Sequence, residues 1–459
     1  MKFVTRTNSV QQQSTVLLIV SSRVISFLAF PNASILPDSG SYAPKGFLDF
    51  SLVSLSGHSV RGWPTPLLFA LLPNNSFRIL SLLTISAVCW AYLAKVLLKR
   101  VEGEKRKWLT VLAIASISCS PNIIQWDNAI LGQSLLLSNV VVLVALVINY
   151  FGPHRNWKIA PLIILTSSFL VIQKSSNTPI FLIVTSLVIS LGWMERTNLI
   201  NAFLVVLMII CSIYSFSVGI QVDKFWSDVT YSGKSVLWSL GGQSPAAMDF
   251  KRYLASETDA PPCIYLDAPY ANIDIDMSKV INSCPESHKY IRDVITYDFI
   301  KFLASNPKDI VKLEAIGFGA SLSNSASNYG RAVGILPTGF YSITQGGVNP
   351  DLRFTKSQDQ IQAFNAIKTG EPIWIFAPGL LWILLSILTL VSRIKSSESH
   401  RNEYYFSIPI AILLIESSFT FIILPSEWVR STSAYLPLAI LISIWYLVIN
   451  LKPSESSQK

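Results

Sequence analysis

Charged residues are scarce in this sequence. They make up 14% of its 459 residues, against 51% hydrophobic, whereas a soluble domain carries about 25%. A water-soluble core of this size cannot hide so many apolar side chains, so a wholly soluble protein is excluded and a bilayer is the expected solvent. Histidine is also rare: His58, His154, His288 and His400 all fall between the apolar runs, which leaves little room for intramembrane His chemistry. No GxSxG elbow and no P-loop occurs, and no CxxC or Cys/His ligand cluster for a structural zinc. Charges inside the apolar runs are limited to a few such as Arg23 and Glu416. A secondary transporter would carry more, together with two similar halves or broken helices. The apolar blocks lack strand-like alternation, which argues against a β-barrel. Nothing repeats at a fixed period. No cleavage site of small residues follows the first apolar run, which predicts a retained helix.

What is present is a series of apolar blocks of helix-spanning length, with a mean hydropathy of +0.46. They predict about ten transmembrane helices, over 15–31, 77–97, 108–122, 129–151, 159–173, 178–193, 199–219, 371–392, 406–424 and 432–450. Basic residues set the orientation, because short loops rich in Lys and Arg stay cytoplasmic. Lys2 and Arg6, then Lys99 to Lys107, Arg155 and Lys158, Arg393 to Arg401, and Lys452 and Lys459 all fall on one side of a ten-span chain. The net charge of +9 is largely this pattern, and nucleic acid is not an expected partner. Both termini are then cytoplasmic. The expected organisation is an N-terminal membrane module over 1–219 with a first outer loop at 32–76, an extracytoplasmic α-rich insert over 220–370, and C-terminal helices and tail over 371–459.

Five cysteines are present. Cys89, Cys119 and Cys211 lie in apolar spans and serve as small hydrophobes. Cys263 and Cys284 both lie in the outer insert, on the oxidising side, where a disulfide or two free thiols are open alternatives. Residues 287–318 have helical periodicity, broken at Asn306-Pro307.

The first outer loop carries Ile35-Leu36-Pro37-Asp38-Ser39-Gly40-Ser41-Tyr42, directly after the first span. Further on, Arg61-Gly62-Trp63-Pro64-Thr65-Pro66-Leu67-Leu68-Phe69 combines a turn with an apolar stretch too short to span. It is expected to lie along the interface with Trp63 at headgroup depth. These segments resemble the membrane glycosyltransferases of the GT-C class, the group containing protein mannosyltransferases and the aminoarabinose transferase of lipid A. Members have an acidic residue in the first outer loop after helix one, followed by interfacial helices. Gln125-Trp126-Asp127 and Ile130-Leu131-Gly132-Gln133-Ser134 resemble the outer ends of helices three and four of that class, and Lys174-Ser175-Ser176-Asn177 a short outer loop. The resemblance covers residues 15–200 in order and topology.

It implies a GT-C-like, all-α polytopic membrane protein of the bacterial inner-membrane kind. Its reaction would move a sugar from a polyprenyl-phosphate donor to a glycan, lipid or protein acceptor at the extracytoplasmic face. Asp38 would be the general base. Arg61, Lys174 and Arg430 would hold the donor phosphate, and Asp127, Gln133, Asn177 and Tyr42 would meet the sugar or acceptor. Many members have two adjacent acids in the first loop, whereas Ser39 follows Asp38 here; Asp49 or Asp127 could supply the second acid. No cofactor is required by this scheme, and a divalent metal remains open. The rival readings are a transporter, flippase or non-catalytic assembly factor for surface glycans, and a glycan polymerase or ligase. Taken singly, Asp38 also suits a cap or turn, and the cations suit helix-end anchors.

Overall fold

The computed structural model describes residues 2–29, 63–130, 132–150, 157–173, 181–182, 184–186, 202–214, 245–265, 284–308, 311, 384–385, 387–388 and 428–450. Among them the chain is helical, with no strand. Helix α1 runs Lys2–Ala29, α2 Pro64–Ala70, α3 Asn75–Lys99, α4 Glu104–Ser118, α5 Pro121–Asp127, α6 Gln133–Tyr150 and α7 Ala160–Gln173. Then come α8, Ala202–Tyr214, and α9 Pro245–Glu257, α10 Ser287–Asp293, α11 Ile295–Ser305 and α12 Trp428–Asn450.

Two of these, α3 and α6, are long and apolar enough to cross a membrane, and α7, α8 and the Pro437–Ile449 part of α12 are shorter apolar helices. Apolar over most of its circumference, α6 is largely enclosed. Val140, Val141, Leu143, Val144 and Ala145 are fully buried, and α3, α5, α7 and α12 pack around it. The outward faces are apolar too: Leu28, Val88, Leu112 and Ile213 are each more than 60% exposed. A protein in water rarely displays such side chains over helix after helix, because each costs free energy to hydrate.

Local sequence accounts for the helix limits. Asn74 caps α3, its side chain accepting the Phe77 N–H at 3.1 Å, which meets one of the otherwise unpaired first-turn donors. Gly103 turns the chain from α3 into α4 at φ +83°, a conformation that a Cβ disfavours. The expected third span, 108–122, differs from what forms. Its helix begins earlier, at Glu104, and stops at Ser118; Pro121 then opens the separate helix α5, as a proline without an N–H does at a first turn. The first helix likewise begins well before the apolar run at residue 15.

Two indole and aromatic contacts tie the bundle at a distance. Trp445 of α12 donates its Nε1–H to the Leu97 carbonyl of α3 at 3.2 Å. Trp63 meets Phe169 of α7 edge to face, with centroids 5.9 Å apart. The short helix α2 packs on α7 with Pro64, Thr65, Pro66 and Phe69 buried.

The insert has a core of its own, with Phe250, Leu254, Ile264, Ile291, Ile295 and Phe302 at its centre. Val294 (φ −121°, ψ −44°) divides the expected long helix into α10 and α11, and Asn306 ends α11 at φ −128°, ψ 65°. Cys263 and Cys284 are joined in a disulfide with Cα atoms 6.2 Å apart, while Cys89, Cys119 and Cys211 are free.

Candidate functional site

A polar cluster lies inside the bundle where α1, α3, α5 and α6 meet. It begins with Arg23, a charged residue in an apolar run, whose side chain is 3% exposed. Its guanidinium donates to the Ser22 hydroxyl at 3.0 Å and to the Ser86 hydroxyl of α3 at 3.3 Å. Its Nε lies 3.7 Å from Oδ2 of Asp127. That distance is an ionic contact, longer than a hydrogen bond. Asp127 ends α5, in the expected outer link between two spans, and is fully buried. Ser134, in the first turn of α6, donates its hydroxyl proton to Asp127 Oδ1 at 2.5 Å. Asn128 donates to the Ser26 hydroxyl of α1 at 2.7 Å and to the Ile124 carbonyl at 3.1 Å.

Three atoms of the cluster, Arg23 Nε, Asp127 Oδ2 and Asn128 Oδ1, are sealed without a hydrogen-bond partner. Such atoms are expensive in a low-dielectric interior. Burial pushes the Asp127 carboxyl up to about 6, against the opposing pull of Arg23 and the Ser134 and Ser86 hydroxyls. At neutral pH it is therefore mostly ionised and paired with Arg23.

The cluster belongs to one end of the bundle. An apolar patch beside it unites Phe69 of α2, Ile79 and Leu82 of α3, Trp126 of α5 and Leu135 of α6, with Phe27 of α1 and Phe169 of α7 packed against it. Arg78 fastens α2 to α3 there: its Nε donates to the Phe69 carbonyl at 2.9 Å, and its guanidinium lies over the Phe69 ring at 5.8 Å. Asn139 of α6 donates to the Gln173 side-chain oxygen of α7 at 3.0 Å. The end of α1, the whole of α2 and the end of α7 thus converge.

Asp38, Tyr42, Arg61, Lys174 and Asn177 lie outside the described residues. Arg430 lies in the first turn of α12, with its side chain outside them. Gln133, half-buried, opens α6 beside Ser134. Asp127 is enclosed, with Arg23 beside one carboxylate oxygen and Ser134 on the other. Among the described residues, no three His, Cys, Asp or Glu side chains gather as a metal set. In the sequence Arg23 is an oddity without a partner, Ser134 is part of a motif without a role of its own, and nothing marks Arg78. The signal for Arg23 was its charge within an apolar run, which calls for a counter-charge on another helix.

No protein-family model, curated protein or solved structure matches the chain.

Proposed function

We propose that this protein is a membrane glycosyltransferase of about ten spans. It moves a sugar from a polyprenyl-phosphate donor to an acceptor at the extracytoplasmic face. Asp38 takes the proton from the acceptor hydroxyl as it attacks the sugar. Arg61, Lys174 and Arg430 stabilise the charge that builds on the departing phosphate. Gln133, Asn177 and Tyr42 orient the sugar or acceptor. Asp127, held by Arg23 and Ser134, keeps the neighbouring helix ends in register and is the closest acid to Gln133 in sequence.

One observation supports this reading most. Ala29, Trp63 and Gln173 are the last described residues before or after the segments that carry Asp38, Tyr42, Arg61, Lys174 and Asn177. The helices they end or begin converge on the single patch around Phe69 and Trp126. The described helix ends that flank the segments carrying these five residues therefore share one end of the bundle, which supports reading them as one site. The apolar outer faces of α1, α3, α4 and α8 support the membrane location, and the Cys263–Cys284 bridge suits an oxidising side for the insert.

The test is transfer by Asp38→Asn in vesicles carrying a polyprenyl-phosphate sugar. Asn keeps size and capping ability but lacks the basic oxygen, so transfer should fall by about 10²–10⁴ while donor binding persists. Full transfer by this variant would end the mechanism. Movement of the intact lipid-linked sugar across the vesicle wall, without transfer, would favour a flippase.

A further inference from the structure

The insert holds a groove that the transfer scheme does not use. It opens between α9 and the end of α11 and has a volume of about 500 Å³, within the usual span of ligand pockets. Its α9 wall carries Asp249, Arg252, Tyr253, Ser256 and Glu257, a spacing that puts all five on one face of the helix. Lys301, Phe302, Ser305, Asn306 and Lys308 form the opposite wall. The floor is aromatic: Tyr253 stacks on Phe250 at 6.2 Å and tilts against Phe302 at 5.5 Å. Phe302 is buried, while Tyr253 is half-buried, with its hydroxyl sealed inside.

The polar groups around that floor have hydrogen-bonding capacity to spare. Asn306 uses its amide N–H on the Phe302 carbonyl at 3.0 Å, which leaves its side-chain oxygen to accept. Ser256 donates to the Arg252 carbonyl at 2.9 Å and retains an acceptor. Arg252 and Asp249 are paired at 3.0 Å, with Arg252 largely exposed. Lys301 and Lys308 have no ion-pair partner among the described residues, and the three cations outnumber the two carboxylates.

We propose that this groove binds a saccharide bearing an acidic group. Tyr253, which lines the groove, contributes aromatic surface suited to the C–H side of a sugar ring. The planar Asn306, Arg252 and Glu257 groups match pairs of neighbouring hydroxyls. Lys301 and Lys308 provide the charge that favours an acidic sugar over a neutral one. None of the groove residues takes part in the proposed transfer, so binding here should persist in Asp38→Asn and stands or falls independently of the transfer reaction.

The test uses full-length protein in detergent, with saturation-transfer NMR and calorimetry. The probes are an oligogalacturonate, a neutral maltooligosaccharide and inorganic phosphate. The oligogalacturonate should bind, and more weakly as salt rises. Lys301→Gln with Lys308→Gln should weaken it about tenfold, the loss expected for charge-assisted hydrogen bonds. Lys289→Gln, on α10 and outside the groove, should leave it unchanged. Thiol labelling that still misses Cys263 and Cys284 shows that the double variant is folded. Absence of oligogalacturonate binding, binding indifferent to the lysine pair, equal binding of the neutral sugar, or equal competition by phosphate alone would each overturn the proposal.

Discussion

The guanidinium of Arg23 lies 3.7 Å from the carboxylate of Asp127, and neither side chain is more than 3% exposed. The pair joins α1 to the end of α5. It leaves an N–H and an oxygen without hydrogen bonds, so its strength is mainly charge on charge in a poorly screened setting.

Removing one partner should therefore do more harm than removing both. Arg23→Met or Asp127→Leu alone should each destabilise the bundle by about 3–5 kcal/mol, because a buried charge is left uncompensated. The double variant should recover much of that loss. A double-mutant cycle on thermal unfolding in detergent reads the coupling. Additive single effects would show that the two charges do not stabilise one another.

The same carboxylate predicts a pH dependence. Burial holds the folded-state group up to about 6, above its ordinary value of 3.8. Between those values the folded protein binds more protons than the unfolded chain, so stability falls as pH rises. The contribution is complete below the lower value and lost through the upper one. Wild type should thus lose stability relative to Asp127→Asn between about pH 4 and pH 6. Unfolding profiles that run parallel across that window would reject the raised value.

The Cys263–Cys284 bridge closes a loop with a sequence separation of 21. Chain-entropy reasoning assigns such a loop about 3 kcal/mol, a large share for a segment with one small core. Maleimide should label neither cysteine until a reductant is added. Protease should then cut the reduced insert faster. Labelling of both without reductant would exclude the bridge.

Topology has a direct readout. A reporter fused after residue 104, beside the basic start of α4, should report the cytoplasm, and one fused near residue 280 should report the opposite side. Reversal of the two would invert the proposed site along with the membrane orientation.

Some of this architecture was readable one residue at a time. Hydropathy marked α3, α6 and α7 within a few residues, since the cost of hydrating an apolar side chain depends on that side chain alone. Asn306-Pro307 marked the end of α11, because a proline restricts the residue before it. The two insert cysteines stood out by their spacing and by their place outside the apolar runs. Other features belong to the tertiary structure. Nothing near position 23 names Asp127 as its counter-charge. The partner is set by which helix end packs beside α1, and hence by Phe27, Phe69 and Trp126 filling one patch. Trp63 stood out by composition, but nothing near it in sequence names Phe169 as the ring it packs on. That choice rests on the docking of α2 against α7, and docking is a sum over many weak contacts between segments distant in sequence.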